Sequence, residues 1–283
     1  MRETTYFQRN APDPILDDSI VLEIARQYMP KAMMVNSIDE SGGEARTYVI
    51  DESFILKVQR PQQLRSSTSL EKEAFFLNQI AKQTDVSVPR VLGYGKKDSH
   101  EYILMTKMEG VSVENTKLSK NEKNDLLLEL GAELRKIHDM DQRPFLNSGL
   151  FPKDDPKDLT ERLQRRYRHA IQKKESLNQE KLSVALTTLN NDLQNIHNTD
   201  EYVVLHANPY IPHVFVNEGT HKYTGIIDFG DAYIGHPILD MWYWNEKSRK
   251  MLLRGYVSEK PFNDSFKKIF SIVNLVSSWI GKL

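Results

Sequence analysis

The sequence predicts an α+β chain of two lobes: a small antiparallel-sheet lobe with one helix over residues 1–106, then a larger, mainly helical lobe over 107–283. Two features of the pattern carry this. Short β-branched and aromatic runs recur before residue 110, with one long helical period set among them. After Gly110 the helical period dominates, interrupted only by a few short apolar runs.

The first dozen residues lead irregularly into Asp13-Pro14. Ile20, Leu22, Ile24, Ala25 and Tyr28 then predict a short amphipathic helix, stopped by Pro30 because proline has no N–H to continue the ladder. Met33–Ile38, Thr47–Ile50 and Phe54–Val58 read as strands. Ser41-Gly42-Gly43-Glu44 is a turn signal that joins the first two as a hairpin, and two glycines there suit a plain turn as well as a phosphate-binding one. A helix is expected over 69–83, with Thr68 and Glu71 spaced as a capping box. Val91–Tyr94 and Tyr102–Met105 complete the strands of this half.

In the second half Ser119 and Glu122 form another capping box, and Leu127, Leu130, Leu134 and Ile137 recur at helical spacing. Further helices are expected near 158–174, 178–197 and 262–280, the last with Phe266, Ile269, Phe270, Val273, Val276 and Ile280 as its buried stripe. Tyr202–Leu205, Val214–Val216 and Thr224–Ile227 read as short strands. Lys107–Val113 marks the expected boundary between the lobes, and there is no internal repeat.

Composition narrows the function. With 39% hydrophobic and 27% charged residues the chain reads as soluble and globular, and a net charge of −1 argues against nucleic acid or an anionic membrane as partner. The absence of cysteine rules out disulfides, thiolate metal sites and a cysteine nucleophile. No apolar stretch reaches the ~20 residues of a membrane helix, and none of signal-peptide length begins the sequence. A cytoplasmic protein, as monomer or homodimer, is the expectation.

Three positions stand out chemically. Lys57 lies on a strand between apolar neighbours, where its charge must either reach water at the sheet edge or meet an anion. Glu73 shares a helix face with Leu77 and Ile80, so it too wants a partner, while Glu71 lies on another face. A strand lysine paired with a helix glutamate beside a glycine turn is an arrangement suited to the phosphates of ATP. Asp228 ends the strand-like Thr224-Gly225-Ile226-Ile227, with Gly230 placed to let the chain turn sharply. An acid so placed suits a hard cation such as Mg²⁺, or else caps its own turn.

Upstream lies His206-Ala207-Asn208-Pro209-Tyr210-Ile211-Pro212-His213, followed by Val214-Phe215-Val216. The order of strand, His-x-Asn loop, metal-ligand position, strand and Ile227-Asp228-Phe229-Gly230-Asp231 resembles the core of the aminoglycoside phosphotransferase family, whose fold is protein-kinase-like. Glu73-Ala74-x-x-Leu77, Val88-Pro89-Arg90-Val91-Leu92-Gly93-Tyr94-Gly95, Ile103-Leu104-Met105 and Lys136-Ile137-His138 fall in the same order, so the likeness runs from about Gly42 to Trp244. It implies that Lys57 contacts the phosphates of ATP or GTP, with Glu73 orienting it and the Ser41-Gly42-Gly43 turn beside them. Met105-Thr106-Lys107-Met108 would be the hinge that holds adenine through backbone groups. Asp228 would bind Mg²⁺, with Mn²⁺ as the alternative. His206 would anchor the catalytic loop, and Asp240 would brace it from the following helix.

Three positions depart from the family. Asn208 stands where the resemblance puts the catalytic Asp, and an amide cannot take a proton from a hydroxyl at neutral pH. His213 stands where a metal-binding Asn is expected, where imidazole can ligate a metal such as Mn²⁺ or contact a phosphate instead, and Gly235-His236-Pro237 replaces Gly-Asp-Pro. Asn208 reads either as an inactivating change or as the mark of a chain that binds nucleotide without turnover.

The implied partner is a small-molecule hydroxyl acceptor, such as an aminoglycoside or another antibiotic. Acids that could line its site are Asp154, Asp155, Asp158, Asp231 and Asp240. Against them stand Arg162, Arg165, Arg166, Arg168, Lys173 and Lys174, which read as a solvated helix face or as an anion site. The functional expectations are therefore a small-molecule phosphotransferase, a nucleotide-binding pseudokinase, or a structural protein that has lost the site.

Overall fold

The computed structural model describes residues 13–40, 42–60, 69–97, 100–155, 159–165, 187, 191, 202–258, 261 and 263–282, with the side chains of 275–282 left aside. Ser41, Thr68, Asp158, Arg166, Arg168, Lys173 and Lys174 lie outside the described residues, as do most of the segments expected as helices at 158–174 and 178–197. The chain divides into two compact units. One comprises the chain up to Thr116 with Ile211–Thr220 and Thr224–Ala232; the other comprises Lys117–Tyr210, His221–Tyr223 and Tyr233–Leu283.

In the first unit, α1 (Asp18–Arg26) precedes β1 (Val35–Asp39), β2 (Ala45–Ile50) and β3 (Phe54–Gln59); α2 (Leu70–Gln83), β4 (Val91–Lys97) and β5 (His100–Thr106) follow. The five strands make one antiparallel sheet in the order β1-β2-β3-β5-β4. Strand alternation sorts its two faces. Tyr48 and Ile50 of β2 and Leu56 and Val58 of β3 pack with Leu16, Val21, Ile24 and Ala25 in one core, so α1 covers that side. Thr47 and Lys57, paired in register, belong to the other face.

The cap of α2 is Ser69, whose side chain accepts from the Lys72 N–H, so the helix starts one residue later than a Thr68 cap would place it. Glu73, Leu77 and Ile80 are all buried along it, as the 100° spacing requires, and Glu71 is exposed. A second sheet, in the order β6-β8-β9, comprises β6 (Val111–Ser112), β8 (Val214–Val216) and β9 (Tyr223–Ile226).

In the second unit α3 (Lys120–His138) begins at the expected capping box between Ser119 and Glu122. Hydrogen bonds from Ser119, with His221 adding to them, pull the Glu122 carboxyl down to about 2. The apolar spacing of α3 buries Leu127, Leu130, Leu134 and Ile137. Then come α4 (Arg143–Ser148), the two-stranded pairing of β7 (Val203–Leu205) with β10 (Tyr233–Gly235), a 3-10 turn at Pro237–Asp240, α5 (Glu246–Tyr256) and α6 (Asp264–Lys282). Phe266, Ile269 and Val273 of α6 are buried and Phe270 is half-buried.

The sequence reading misses α5. Its buried stripe is Ser248, Arg249, Leu252, Gly255 and Tyr256, which has helical spacing but only two apolar side chains large enough to register. Glycine is there for closeness: a Cβ on Gly255 would stand 1.8 Å from the Leu128 carbonyl oxygen, and one on Gly131 2.0 Å from that of Leu252. Overpacking costs about 1–3 kcal/mol, against the ~1 kcal/mol that alanine's helix propensity returns. Because the obstacle is backbone, the upper end applies. Gly255→Ala is therefore expected to lower the urea midpoint at unchanged slope, and an unaltered midpoint would refute the close α3–α5 crossing. No helix among the described residues is long and apolar enough to cross a membrane.

Candidate active site

In the first unit, Lys57 projects from the middle of β3 on the face away from α1. Its Nζ donates to both carboxylate oxygens of Glu73, at 2.8 and 3.0 Å, and to Asp228 Oδ1 at 3.1 Å. Burial works to lower the Lys57 pKa, but the charges of Asp228 and Glu73 outweigh it and hold the amine above the ordinary lysine value. Burial pushes the Glu73 carboxyl up, and the Asp228 charge adds to this while the Lys57 ammonium opposes it. Lys57 keeps 15% of its side chain exposed against 2% for Glu73, so the lysine is the more accessible of the pair and the glutamate its buried support.

Asp228 is held from both sides. Before it, the Ile227 N–H donates to the His213 carbonyl at 3.0 Å. After it, Phe229 is fully buried against Phe76, with ring centroids 4.7 Å apart. Lys72 Nζ donates to the Ala232 carbonyl at 2.8 Å, tying α2 to the end of this loop. The sharp turn that the sequence assigns to Gly230 already begins at Asp228, whose φ is 73°. Aspartate tolerates this left-handed region better than most residues, at some cost in strain.

His213 closes a 3-10 turn, and its Nε2 lies 3.2 Å from Asp228 Oδ2. The Asp228 carboxylate is 43% exposed. Among the described residues no three acidic, histidine or cysteine side chains converge as a self-sufficient metal cage. Mg²⁺ commonly takes only one or two carboxylates and completes its shell with water and phosphate oxygens, and imidazole also suits Mn²⁺. The exposed carboxylate and neighbouring imidazole fit a divalent cation on those terms.

In the second unit the loop His206-Ala207-Asn208 is built around Asp240. This fully buried carboxylate accepts from the His206 N–H at 2.9 Å, from the Ala207 N–H at 2.8 Å and from His138 Nε2 at 3.0 Å. Because a carboxylate only accepts, Asp240 places the proton on Nε2; the other nitrogen of His138, Nδ1, lies 2.8 Å from the Tyr256 hydroxyl, which can donate to it. Ala207 has φ 73°. His206 Nδ1 accepts from the Asn208 N–H at 3.2 Å, and Trp244 Nε1 donates to the Pro209 carbonyl at 3.0 Å. His236 Nδ1 accepts from the Ile238 N–H at 3.2 Å, so a histidine caps the turn that carries Asp240. The Gly-His-Pro departure keeps a polar cap at that point.

Gly42 lies in the β1–β2 turn, where a Cβ would come within 2.6 Å of the Ala45 carbonyl oxygen, and Gly43 follows it. Met105 is buried on β5; the Thr106 N–H donates to the Arg90 carbonyl and the Lys107 N–H to that of Ser53, so two backbone donors of the segment expected as a hinge are already used. Met108 is half-buried and Lys107 exposed.

Asp231 is half-buried in the first unit and Asp155 exposed in the second. Arg162 departs from the solvated face expected of it. It bonds Asp154 at 2.6 Å and lies over the Tyr233 ring at 4.9 Å, while Arg165 is exposed. Buried cations that escape the sequence reading include Lys72 and Arg249, whose guanidinium bonds the carbonyls of Met241, Trp242 and Trp244 and the Asn274 side chain. Helix lysines and arginines are usually solvated, so nothing in sequence marks these two.

A five-stranded antiparallel sheet whose lysine meets a helix glutamate, with a mainly helical second unit, defines a kinase-like phosphotransferase fold, the fold class expected. The chain belongs to the phosphotransferase enzyme family (APH), which matches residues 37–253. Among solved structures, the GDP complex of wild-type aminoglycoside 2'-phosphotransferase-IIIa is similar at TM-score 0.66, with 16% identity over 94% of this chain and 90% of that one. The streptomycin-ATP-APH(2")-IIa ternary complex is similar at TM-score 0.61, with 18% identity over 95% and 91%. Macrolide 2'-phosphotransferase MphH from Brachybacterium faecium is similar at TM-score 0.62, with 16% identity over 93% and 90%. No curated protein matches the sequence.

Proposed function

We propose that the chain transfers the terminal phosphoryl group of ATP or GTP to a hydroxyl of a small molecule. The observation that carries this reading is Lys57, partly exposed and held by Glu73 and Asp228. In that role Lys57 binds phosphate oxygens and Glu73 keeps it aimed. The Gly42-Gly43 turn covers the phosphates, and Met105–Met108 holds the base through backbone groups other than the Thr106 and Lys107 N–H. Asp228 and His213 would hold Mg²⁺ or Mn²⁺, which neutralises charge on the phosphates when bound. In the reaction the acceptor oxygen bonds to the terminal phosphorus as the bridging P–O bond breaks, and the nucleoside diphosphate leaves.

Asn208 can accept a hydrogen bond from the acceptor hydroxyl and orient it, but it cannot take the proton, which passes to water. Positioning and charge stabilisation supply much of the catalysis in phosphoryl transfer, so a slow enzyme is the first reading. Asn208 also favours a second reading, a chain that binds nucleotide without transferring phosphate.

The similar solved structures include complexes with streptomycin, gentamicin and spectinomycin. Aminoglycosides and other antibiotics with hydroxyls are therefore the first acceptors to screen. Asp154 is already paired with Arg162 and Asp240 is engaged inside its loop, which reduces the acidic surface that would favour a polycation over a neutral acceptor.

The test is a thermal-shift titration with ATP and GTP, each with Mg²⁺ and Mn²⁺. A ligand at a hundredfold its Kd adds about 2.7 kcal/mol to the folded state, equivalent to a rise on the order of 5 °C. No rise with any of the four combinations would leave the nucleotide reading without support and favour a structural role.

A further inference from the structure

The face of the sheet opposite Lys57 carries a second charge cluster, one that the reaction does not use. Its apolar row of Leu56 and Val58 on β3, and Ile50 and Tyr48 on β2, continues toward the β1–β2 turn as Arg60 and Arg46. These arginines are only 8% and 6% exposed. A guanidinium cannot shed its charge, so each must find anions where it is buried.

Both find the same two carboxylates. Arg46 donates to Glu40 Oε1 at 2.6 Å and to Asp13 Oδ2 at 3.2 Å, and to the Pro14 carbonyl at 2.8 Å. Arg60 pairs with Asp13 Oδ2 and donates to Glu40 Oε2 at 3.0 Å. Two cations and two anions balance, and Arg46, by its hydrogen bond and then its charge, holds the Glu40 carboxyl below the ordinary range.

The cluster grips the glycine turn at both shoulders. Ahead of the turn, Arg60 also donates to the Glu40 backbone carbonyl at 3.0 Å. Beyond it, the Arg60 N–H donates to the Glu44 carbonyl at 2.9 Å. Gly42 and Gly43 lie between these two anchors, and glycine backbone resists bending weakly. Arg60 thus anchors one shoulder through its guanidinium and the other through its backbone, and the guanidinium is held jointly by Glu40 and by Asp13, which lies 47 residues earlier in the chain.

We propose that Asp13 is a positioning residue for nucleotide: through Arg46 and Arg60 it holds the Gly42-Gly43 turn in the shape that grips phosphate, so the segment before α1 is a working part of the nucleotide site. The inference rests on the nucleotide reading above.

It is tested by Asp13→Asn, with Glu40→Gln as a second variant and Asp13→Glu as the charge-retaining control. In ligand-free protein, amide exchange at 42–44 is expected to speed up in Asp13→Asn while the amides of β3 around Lys57 stay as protected as before. Affinity for ATP with Mg²⁺ is expected to fall about tenfold, affinity for adenosine to stay within about twofold, and Asp13→Glu to recover much of the loss.

Unchanged ATP affinity in both neutral variants overturns the proposal, and so does an equal loss of ATP and adenosine binding, which marks general damage. Should Asp13→Asn fail to fold, Glu40→Gln decides by the same comparison. If the unaltered protein binds neither ligand, the nucleotide reading itself has failed and the inference falls with it. If it binds ATP and the variants bind it equally well, only the inference falls.

Discussion

Asn208→Asp is expected to raise the rate of phosphoryl transfer by about 10²–10⁴-fold, the usual worth of a positioned general base. The substitution is nearly isosteric, and backbone groups make several of the bonds that hold the loop on its course. Its course is set by Asp240, which receives the His206 and Ala207 N–H groups, and by the Asn208 N–H donating to His206. The Asn208 carbonyl in turn accepts from the Tyr210 N–H at 2.8 Å. None of these bonds uses the side chain of residue 208. The side chain is half-buried, so a carboxylate there keeps contact with water and ionises at neutral pH.

The measurement is nucleoside diphosphate release against a panel of hydroxyl acceptors, with and without the substitution. A large gain identifies Asn208 as the cause of slow turnover. Saturable nucleotide binding with no gain in either protein would instead establish the second reading, a chain that holds nucleotide without transferring it.

The parts legible in sequence are those where a residue conflicts with its own neighbourhood. Lys57 between apolar strand residues and Glu73 on an apolar helix face each present a buried charge, and the two charges satisfy one another at 2.8 Å. Asp228 is legible because it ends a β-branched run. The Ser119–Glu122 cap is legible because both partners lie within one turn.

What escaped is settled by partners distant in the chain. Lys72 bonds a carbonyl 160 residues away, and no local pattern distinguishes it from a solvated helix lysine. Arg46 and Arg60 carry no local mark in sequence, because Asp13, which pairs with both, lies more than thirty residues before them. Arg162 reads in sequence as part of a solvated face or an anion site, yet Asp154 and the Tyr233 ring draw it inward. Helix α5 hides because Ser248, Arg249 and Gly255 occupy three of the five buried positions that hydrophobic periodicity relies on. The turn strain at Asp228 and Ala207 is invisible for a related reason, since positive φ there is imposed by tertiary bonds and neither residue is glycine.

Asp240→Ala is expected to destabilise the second unit by about 3–5 kcal/mol, the cost of breaking a buried charged network by removing one member. The carboxylate is fully buried, so water does not replace it readily. Its loss strands three donors: the His206 N–H, the Ala207 N–H and His138 Nε2. Each buried orphan costs about 1–3 kcal/mol unless the structure relaxes. Relaxation is where function enters. Ala207 sits at φ 73°, a conformation that a non-glycine residue holds only while something over-determines it, and one of those bonds runs to Asp240.

Without Asp240, Ala207 is expected to return to negative φ and carry Asn208 with it. Asp240→Asn keeps the shape and one acceptor oxygen but turns an NH₂ group toward a donor, so an intermediate loss is expected. Urea unfolding at neutral pH gives the stability change, and phosphate transfer measured below the unfolding transition gives the functional one. A loss under about 1 kcal/mol for the alanine variant, with transfer unchanged, would mean that the loop is held by something other than this carboxylate.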